Sequence, residues 1–243
     1  TAYAVDLFGY GESDRPFDAD FGVRAQADYL DRALTALQLP TVTVVGLDIG
    51  AIVAMTLATV RRDRVAKLVL IGAPPLGDIQ GPAIRELQRD TAKHALRLSR
   101  GLFGASSLLT PFLEESVDAP RHMPAVLIGR YLAPYLGRDG ANHLLALAGA
   151  LEEEELEELS PPGIRQETLV VRGTRDRWCT KAIAENLADQ LPSGRYETVD
   201  EVGHLVPEEA PEVLAELVWR FVHGGSAARE RSPDAARNFG GRS

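Results

Sequence analysis

A carboxylate at Asp48, a second at Asp176 and an imidazole at His204 are the residues of this chain whose types and settings suit nucleophilic catalysis. Asp48 stands at the centre of Gly46-Leu47-Asp48-Ile49-Gly50, after the β-branched run Thr41-Val42-Thr43-Val44-Val45 and before an apolar helical pattern from Ala51 to Val60. A strand, a tight glycine turn and a helix make the context of a nucleophile elbow, in which a strained turn lifts one side chain above a sheet. The two glycines would allow the close packing and unusual dihedrals of such a turn. A plainer role is also open to Asp48, since Asp favours the N-cap of a helix, where it accepts amide hydrogen bonds. Asp176 follows the strand-like Thr168-Val171 within Arg172-Gly173-Thr174-Arg175-Asp176, and His204 follows a segment ending at Val199, within Asp200-Glu201-Val202-Gly203-His204. Both fall in loops at the carboxyl ends of strands, where open α/β sheets build their sites.

The elements that must position these residues are legible as a rhythm. Five strand-like segments stand out, Tyr3-Asp6, Val42-Val45, Lys67-Ile71, Thr168-Val171 and Arg195-Val199. Between the first three lie helical patterns, one from Val23 to Leu37 with apolar residues at Ala27, Leu30, Ala33, Leu34 and Leu37, the other from Ala51 to Val60. Alternating strands and helices predict an α/β fold, a mostly parallel sheet with helices on both faces. From Pro74 to Gly163 strand-like runs give way to helical patterns broken by Gly and Pro. The expected organisation is therefore a core of residues 1–73 and 164–223, an inserted helical cap (lid) of residues 74–163, and a disordered tail over 224–243, where Gly, Ser, Ala and Arg dominate. Pro207 to Val222 reads as an amphipathic helix, and the run Leu151 to Leu159, with six glutamates, as a solvated helix face.

Composition narrows the function classes. A chain of 243 residues fits one domain with an insertion, and its net charge of -9 argues against nucleic acid as a partner. No uninterrupted apolar stretch is long enough for a membrane span, and there is no secretory signal. One cysteine, Cys179, excludes an internal disulfide framework and leaves a reducing, cytoplasmic setting as the expectation. Cys179 itself reads as a passive loop residue. His94, His122, His143 and His223 read as solvated or packing residues, and no set of His, Cys and carboxylates has metal-ligand spacing, so neither metal nor cofactor is expected. Asp176, beside Arg175 and Arg177, could alternatively be a loop ion pair of little energetic worth.

Taken in order, five motifs give the chain a resemblance. Val5-Asp6-Leu7-Phe8-Gly9-Tyr10-Gly11-Glu12-Ser13-Asp14-Arg15-Pro16, the turn around Asp48, Lys67-Leu68-Val69-Leu70-Ile71, Leu169-Val170-Val171-Arg172-Gly173-Thr174-Arg175-Asp176, and Gly203-His204 make residues 1 to about 224 resemble an α/β-hydrolase of the epoxide hydrolase and haloalkane dehalogenase branch. Nucleophile, acid and histidine follow the chain order of that superfamily. The resemblance implies that Asp48 attacks a saturated carbon to form an alkyl-enzyme ester, and that His204, oriented by Asp176, activates the water that hydrolyses it. It implies the backbone N–H of Ile49 as one oxyanion-hole donor.

The leaving group is less determined. The resemblance implies two tyrosines of the cap as proton donors to an epoxide oxygen, and Tyr131 and Tyr135, one helical turn apart, could share a face. The region Leu144-Leu145-Ala146-Leu147-Ala148-Gly149, where such a family places its second tyrosine, has none, and packing roles for Tyr131 and Tyr135 stay open. Haloalkane dehalogenases usually carry Trp after the nucleophile, and here Ile49 stands there; Trp178 is a candidate to reach the pocket from another direction. Epoxide hydrolysis leads, with haloalkane or haloacid dehalogenation behind it and a non-catalytic binding protein for small hydrophobic molecules as the reading from another class. The substrate expected is a small hydrophobic epoxide or alkyl halide; a homo-oligomer is compatible with the sequence, whereas membrane association is not expected. By the same resemblance the strand at Tyr3 is the fourth of eight, so that three strands and the second oxyanion loop are absent from the chain and its first strand should pair beside the second or lie exposed on an edge.

Overall fold

The structure is a computed structural model describing residues 1–98, 102–152, 156 and 159–224. Its sheet has four parallel strands in the order β1 (Val42–Leu47), β2 (Val65–Ile71), β3 (Glu167–Gly173) and β4 (Gly194–Val199). Side chains of β2 and β3 alternate between the two faces, as strand geometry requires. Leu68, Leu70 and Val170 join one core with α1 (Val23–Ala36), α2 (Ile49–Val60) and α8 (Lys181–Gln190). Val69, Ile71, Leu169 and Val171 join the other with Val206 of α9 (Val206–Glu209) and with Leu214, Leu217 and Phe221 of α10 (Pro211–His223). Both faces are thus covered, and each fully buried Leu or Val contributes about 1.5–3 kcal/mol.

The helical patterns place the elements well. α1 turns Ala27, Leu30 and Leu34 onto the core, while Leu37 lies past its end and is 47% exposed. The amphipathic run from Pro207 is split in two, because Pro211 begins a new helix after Ala210 leaves the helical conformation. Among the described residues, five α-helices come between β2 and β3, α3 (Pro82–Gln88), α4 (Asp90–Leu98), α5 (Leu102–Glu115), α6 (Ala125–Leu132) and α7 (Gly137–Gly149). Buried Leu87, Leu96, Leu144 and Ala148 give this insert its own cluster. Most of the glutamate run after Leu151, and the predicted tail after Gly224, lie outside the described residues.

Residues Tyr3-Asp6 depart from expectation. They form no strand, and Tyr3 and Val5 are more than half exposed, so the segment neither pairs with β1 nor stands as an edge strand. β-propensity reports fit to a neighbouring strand, and among the described residues nothing pairs with the outer edge of β1. The following turn is nevertheless fixed. Gln26 of α1 accepts from the Phe8 N–H at 3.0 Å and donates to its carbonyl at 2.7 Å, and buried His143 of α7 bonds the Gly9 carbonyl through Nε2 at 2.6 Å. The packing role expected of His143 is therefore a tie between the insert and the core. Among the described residues no helix is long and apolar enough to cross a membrane.

Candidate active site

Each of the three candidate residues emerges where a strand ends. The Asp48 N–H continues the ladder beyond β1 by donating to the Ile71 carbonyl at 2.9 Å, and the chain then turns sharply into α2. Its dihedrals, φ 52° and ψ -122°, lie in a region that side-chain-bearing residues rarely adopt, the backbone strain expected of an elbow. A Cβ on Gly46 would strike the Gly50 carbonyl, so the strand and helix approach closely there only because Gly46 has no side chain. Gly50, in contrast, faces open space; the turn does not need a glycine at that position. Asp48 makes no side-chain capping bond to α2, which removes the plainer account of its presence.

Asp176 and His204 arrive from the loops after β3 and β4. His204 Nδ1 lies 2.9 Å from Asp176 Oδ2, and both side chains are almost wholly enclosed. An ionised carboxylate only accepts, so Nδ1 carries the proton and Nε2 is left with its lone pair. Nε2 points toward Asp48, 3.8 Å from Oδ1, which is ion-pair range but too long for a hydrogen bond. It is buried and has no hydrogen-bond partner. The Asp176 Oδ1 accepts from the Trp178 and Cys179 amides at 2.8 and 3.0 Å, so Asp176 is far more than a loop ion pair with its arginine neighbours.

The electrostatics couple the group. Asp48 keeps about half of its side chain accessible, yet it is closely surrounded by the protein's atoms. This enclosure raises its pKa above the ordinary carboxylate value, with the charge of Asp176 adding to the rise; His204 and the Ile49 N–H favour the ionised form and oppose it. For His204 burial disfavours the imidazolium, but the hydrogen bond to Asp176 and the charges of Asp48 and Asp176 outweigh it, and the pKa stands above the ordinary value.

The other sequence candidates separate. Trp178 packs edge-on against the His204 ring at 4.8 Å, 65° between planes, so it walls the imidazole. Tyr131 packs with Val117, Met123 and Leu205, and its hydroxyl donates to Glu208 Oε1 at 2.9 Å. Tyr135 packs instead with the cluster of Leu87 and Leu144, and burial pushes its hydroxyl up to about 12. The expected shared face fails because α6 ends at Leu132 and a tighter 3₁₀ turn carries Tyr135. Spacing of four residues aligns side chains only while the helix continues.

Several residues that sequence reasoning missed hold this site. Gly72, at φ 54°, lies beneath the imidazole, and a Cβ there would come within 2.8 Å of His204 Cε1 and 2.9 Å of Nδ1. Buried Arg172 donates to the Cys179 and Asp176 carbonyls at 2.7 and 3.1 Å and so closes the loop that bears Asp176. Tyr10 has its hydroxyl pKa raised, first by burial and then by Tyr135 and Asp48, which places a neutral phenol in the field of Asp48. Only the turn glycines and the Arg172-Gly173 pair had a sequence signal. A recess lined by Thr174, Arg175, Asp200 and Glu201 lies beside these loops, but Asp48, Asp176 and His204 are not in its wall. Among the described residues no group of three or more His, Cys, Asp or Glu is arranged to hold a metal.

Comparison with known proteins agrees with this architecture. The profile described as the alpha/beta hydrolase fold matches residues 1–211. A 2-hydroxymuconate semialdehyde hydrolase of Pseudomonas sp. (strain CF600) is 24% identical over 228 residues, spanning 93% of this chain and 77% of its own. Among solved structures, an alpha/beta hydrolase fold protein from Burkholderia ambifaria superposes with a TM-score of 0.75 at 24% identity, over 88% of this chain and 77% of that one. A thermophilic esterase from Thermogutta terrifontis gives 0.72 at 22% identity, over 89% and 77%.

Proposed function

The chain belongs to the α/β hydrolase fold family, and from that premise we propose that it is a hydrolase whose Asp48 forms a covalent alkyl-enzyme ester, with an epoxide as substrate and a diol as product. The observation that carries this is a carboxylate at the elbow, strained at φ 52° and 3.8 Å from the free nitrogen of an Asp-oriented histidine. Carboxylate attack on an ester or ketone, the substrates of serine-type relatives, would produce a mixed anhydride or an unstable adduct. Attack on a saturated carbon produces a stable ester, and the only requirement is a leaving group.

In the first step an oxygen of Asp48 bonds to a ring carbon, the carbon–oxygen bond of the epoxide breaks, and the released alkoxide takes a proton. Tyr10, a buried phenol within the field of Asp48, is the donor that this reading favours, since the Tyr131 hydroxyl is engaged by Glu208. In the second step Nε2 of His204 removes a proton from water, and the hydroxide attacks Cγ of Asp48. The oxyanion draws on the Ile49 N–H; on collapse the hydroxyl proton passes to the departing alkoxide, which releases the diol and regenerates the carboxylate, and the proton held by His204 returns to the tyrosinate left by the first step.

The placement of Trp178 favours a second reading, dehalogenation of an alkyl halide, because its indole is already against the base. Ile49 beside the nucleophile offers no side-chain donor to a halide and weighs against it. The substrate in either case is a small hydrophobic molecule, and the helical insert over the sheet is the cap that selects it. Single turnover of an epoxide panel in heavy-oxygen water, followed by mass analysis of the peptide bearing Asp48, tests the reading. Label in that carboxylate supports it; turnover without label rejects the ester, and binding without any turnover puts a small-molecule-binding protein in its place.

A further inference from the structure

Glu209, at the end of α9, has a side chain with no exposure at all, and the chemistry above does not use it. Its partners are two backbone amides and an imidazole. Oε1 accepts from the Gly203 N–H at 2.7 Å; Oε2 accepts from the Asp118 N–H at 2.8 Å and lies 3.1 Å from His122 Nδ1. Burying a carboxylate costs heavily unless several donors meet it, so a residue placed this way is tied to the geometry it fixes.

That geometry is the loop of the base. On one side Glu209 holds the amide of Gly203, the residue before His204. On the other, the Ser116 carbonyl accepts from the His204 and Leu205 amides at 2.7 and 3.1 Å. Gly203 is squeezed between them: a Cβ there would come within 2.8 Å of the Ser116 oxygen, the Val117 carbonyl carbon and the Asp118 nitrogen. Because Asp118 is bound by the same carboxylate as Gly203, Glu209 clasps the stretch leaving α5 to the stretch bearing the base. His122, 24% exposed, covers the clasp from outside.

We infer that Glu209, backed by His122, is a positioning residue that sets the direction of the His204 imidazole by tying its loop to the root of the helical insert. This rests on the proposed role of His204 in hydrolysing the ester. The clasp acts on the base and not on the nucleophile, so its loss separates the two steps. In Glu209→Gln one acceptor oxygen becomes an NH₂ group, which cannot receive an amide proton, while size is kept.

The test has two arms on the full chain. The first is single-turnover reaction with styrene oxide, following ester formation and ester loss by intact mass. The second, without substrate, is the low-field proton resonance of His204 Nδ1–H bonded to Asp176. In E209Q ester loss is expected to slow about 10- to 100-fold while ester formation changes less than about threefold, and the Nδ1–H resonance shifts or broadens. Equal loss in both steps, or no change in either with the resonance unmoved, would overturn the inference. If the wild-type chain forms no ester at Asp48, the proposed function fails by itself, and the resonance alone decides on Glu209: movement supports the clasp and constancy refutes it. Should E209Q not fold, His122→Ala takes its place. A smaller split in the same direction, about threefold, supports the inference, and proportional loss of both steps overturns it.

Discussion

His204 Nε2 lies 3.8 Å from Asp48 Oδ1, buried and without a hydrogen-bond partner, so the imidazole reaches the carboxylate without engaging it. A water held by that nitrogen would stand against the carboxyl carbon of an Asp48 ester. His204→Gln is therefore expected to form the ester and stop there, with hydrolysis slowed by a factor of about 10² to 10⁴. Intact-mass measurement after mixing with an epoxide checks this, and rapid loss of the adduct in the variant would refute it.

The charge of Asp48 is among the causes that raise the pKa of His204. Asp48→Asn should accordingly lower that pKa, read from the pH titration of the imidazole Cε1–H; an unmoved midpoint would separate the two groups. Alkylation cancels the same charge. On this account the imidazole becomes a freer base just when the ester needs one.

Stability should fall toward alkaline pH. Both Asp48 and His204 hold a proton more tightly in the fold than in the unfolded chain, so each adds stability below its ordinary value, 3.8 or 6.5, and loses it as pH rises through the raised one. Urea midpoints should therefore decline above pH 6.5, and His204→Gln should flatten that decline. A slope unchanged by the substitution would assign the effect elsewhere.

Gly72→Ala should damage catalysis more than folding. The new methyl would press on His204 Cε1 from within 2.8 Å at a backbone φ of 54°. A loss of about 1–3 kcal/mol in stability is expected from strain, together with a drop of about 10²-fold in turnover as the imidazole is displaced. Thermal unfolding and kinetics on the same sample measure both.

Asp48→Gly is the converse case. Glycine adopts φ 52°, ψ -122° freely, so the variant should be more stable by about 1–3 kcal/mol while losing all ester formation. Equal or lower stability would mean that the elbow stores no strain.

Much of this arrangement was legible beforehand because it depends on local order. Asp48, Asp176 and His204 each follow a strand-like segment, and loops at the carboxyl ends of parallel strands converge whatever else the fold does. Tyr3-Asp6 has the same local pattern and no partner, so propensity alone misled. Tyr131 and Tyr135 were paired by helical spacing, and the helix ended between them. Glu209 and Gly72 act through chain segments distant in sequence, Glu209 on Asp118 and His122 and Gly72 against His204. Burial of such a residue is a tertiary fact that no window of neighbouring residues contains.

The rungs just past the strand ends have a dynamic consequence. The Asp48 amide is bonded to Ile71, Gly72 to Val171 and Thr174 to Val199, each at 2.9 Å, so the floor of the site is made of sheet ladder and not of loop. In hydrogen exchange these three amides should be among the slowest in the protein, opening only with the sheet itself. Heat should then inactivate the enzyme at the temperature at which it unfolds, without an earlier phase in which an intact fold has lost its chemistry.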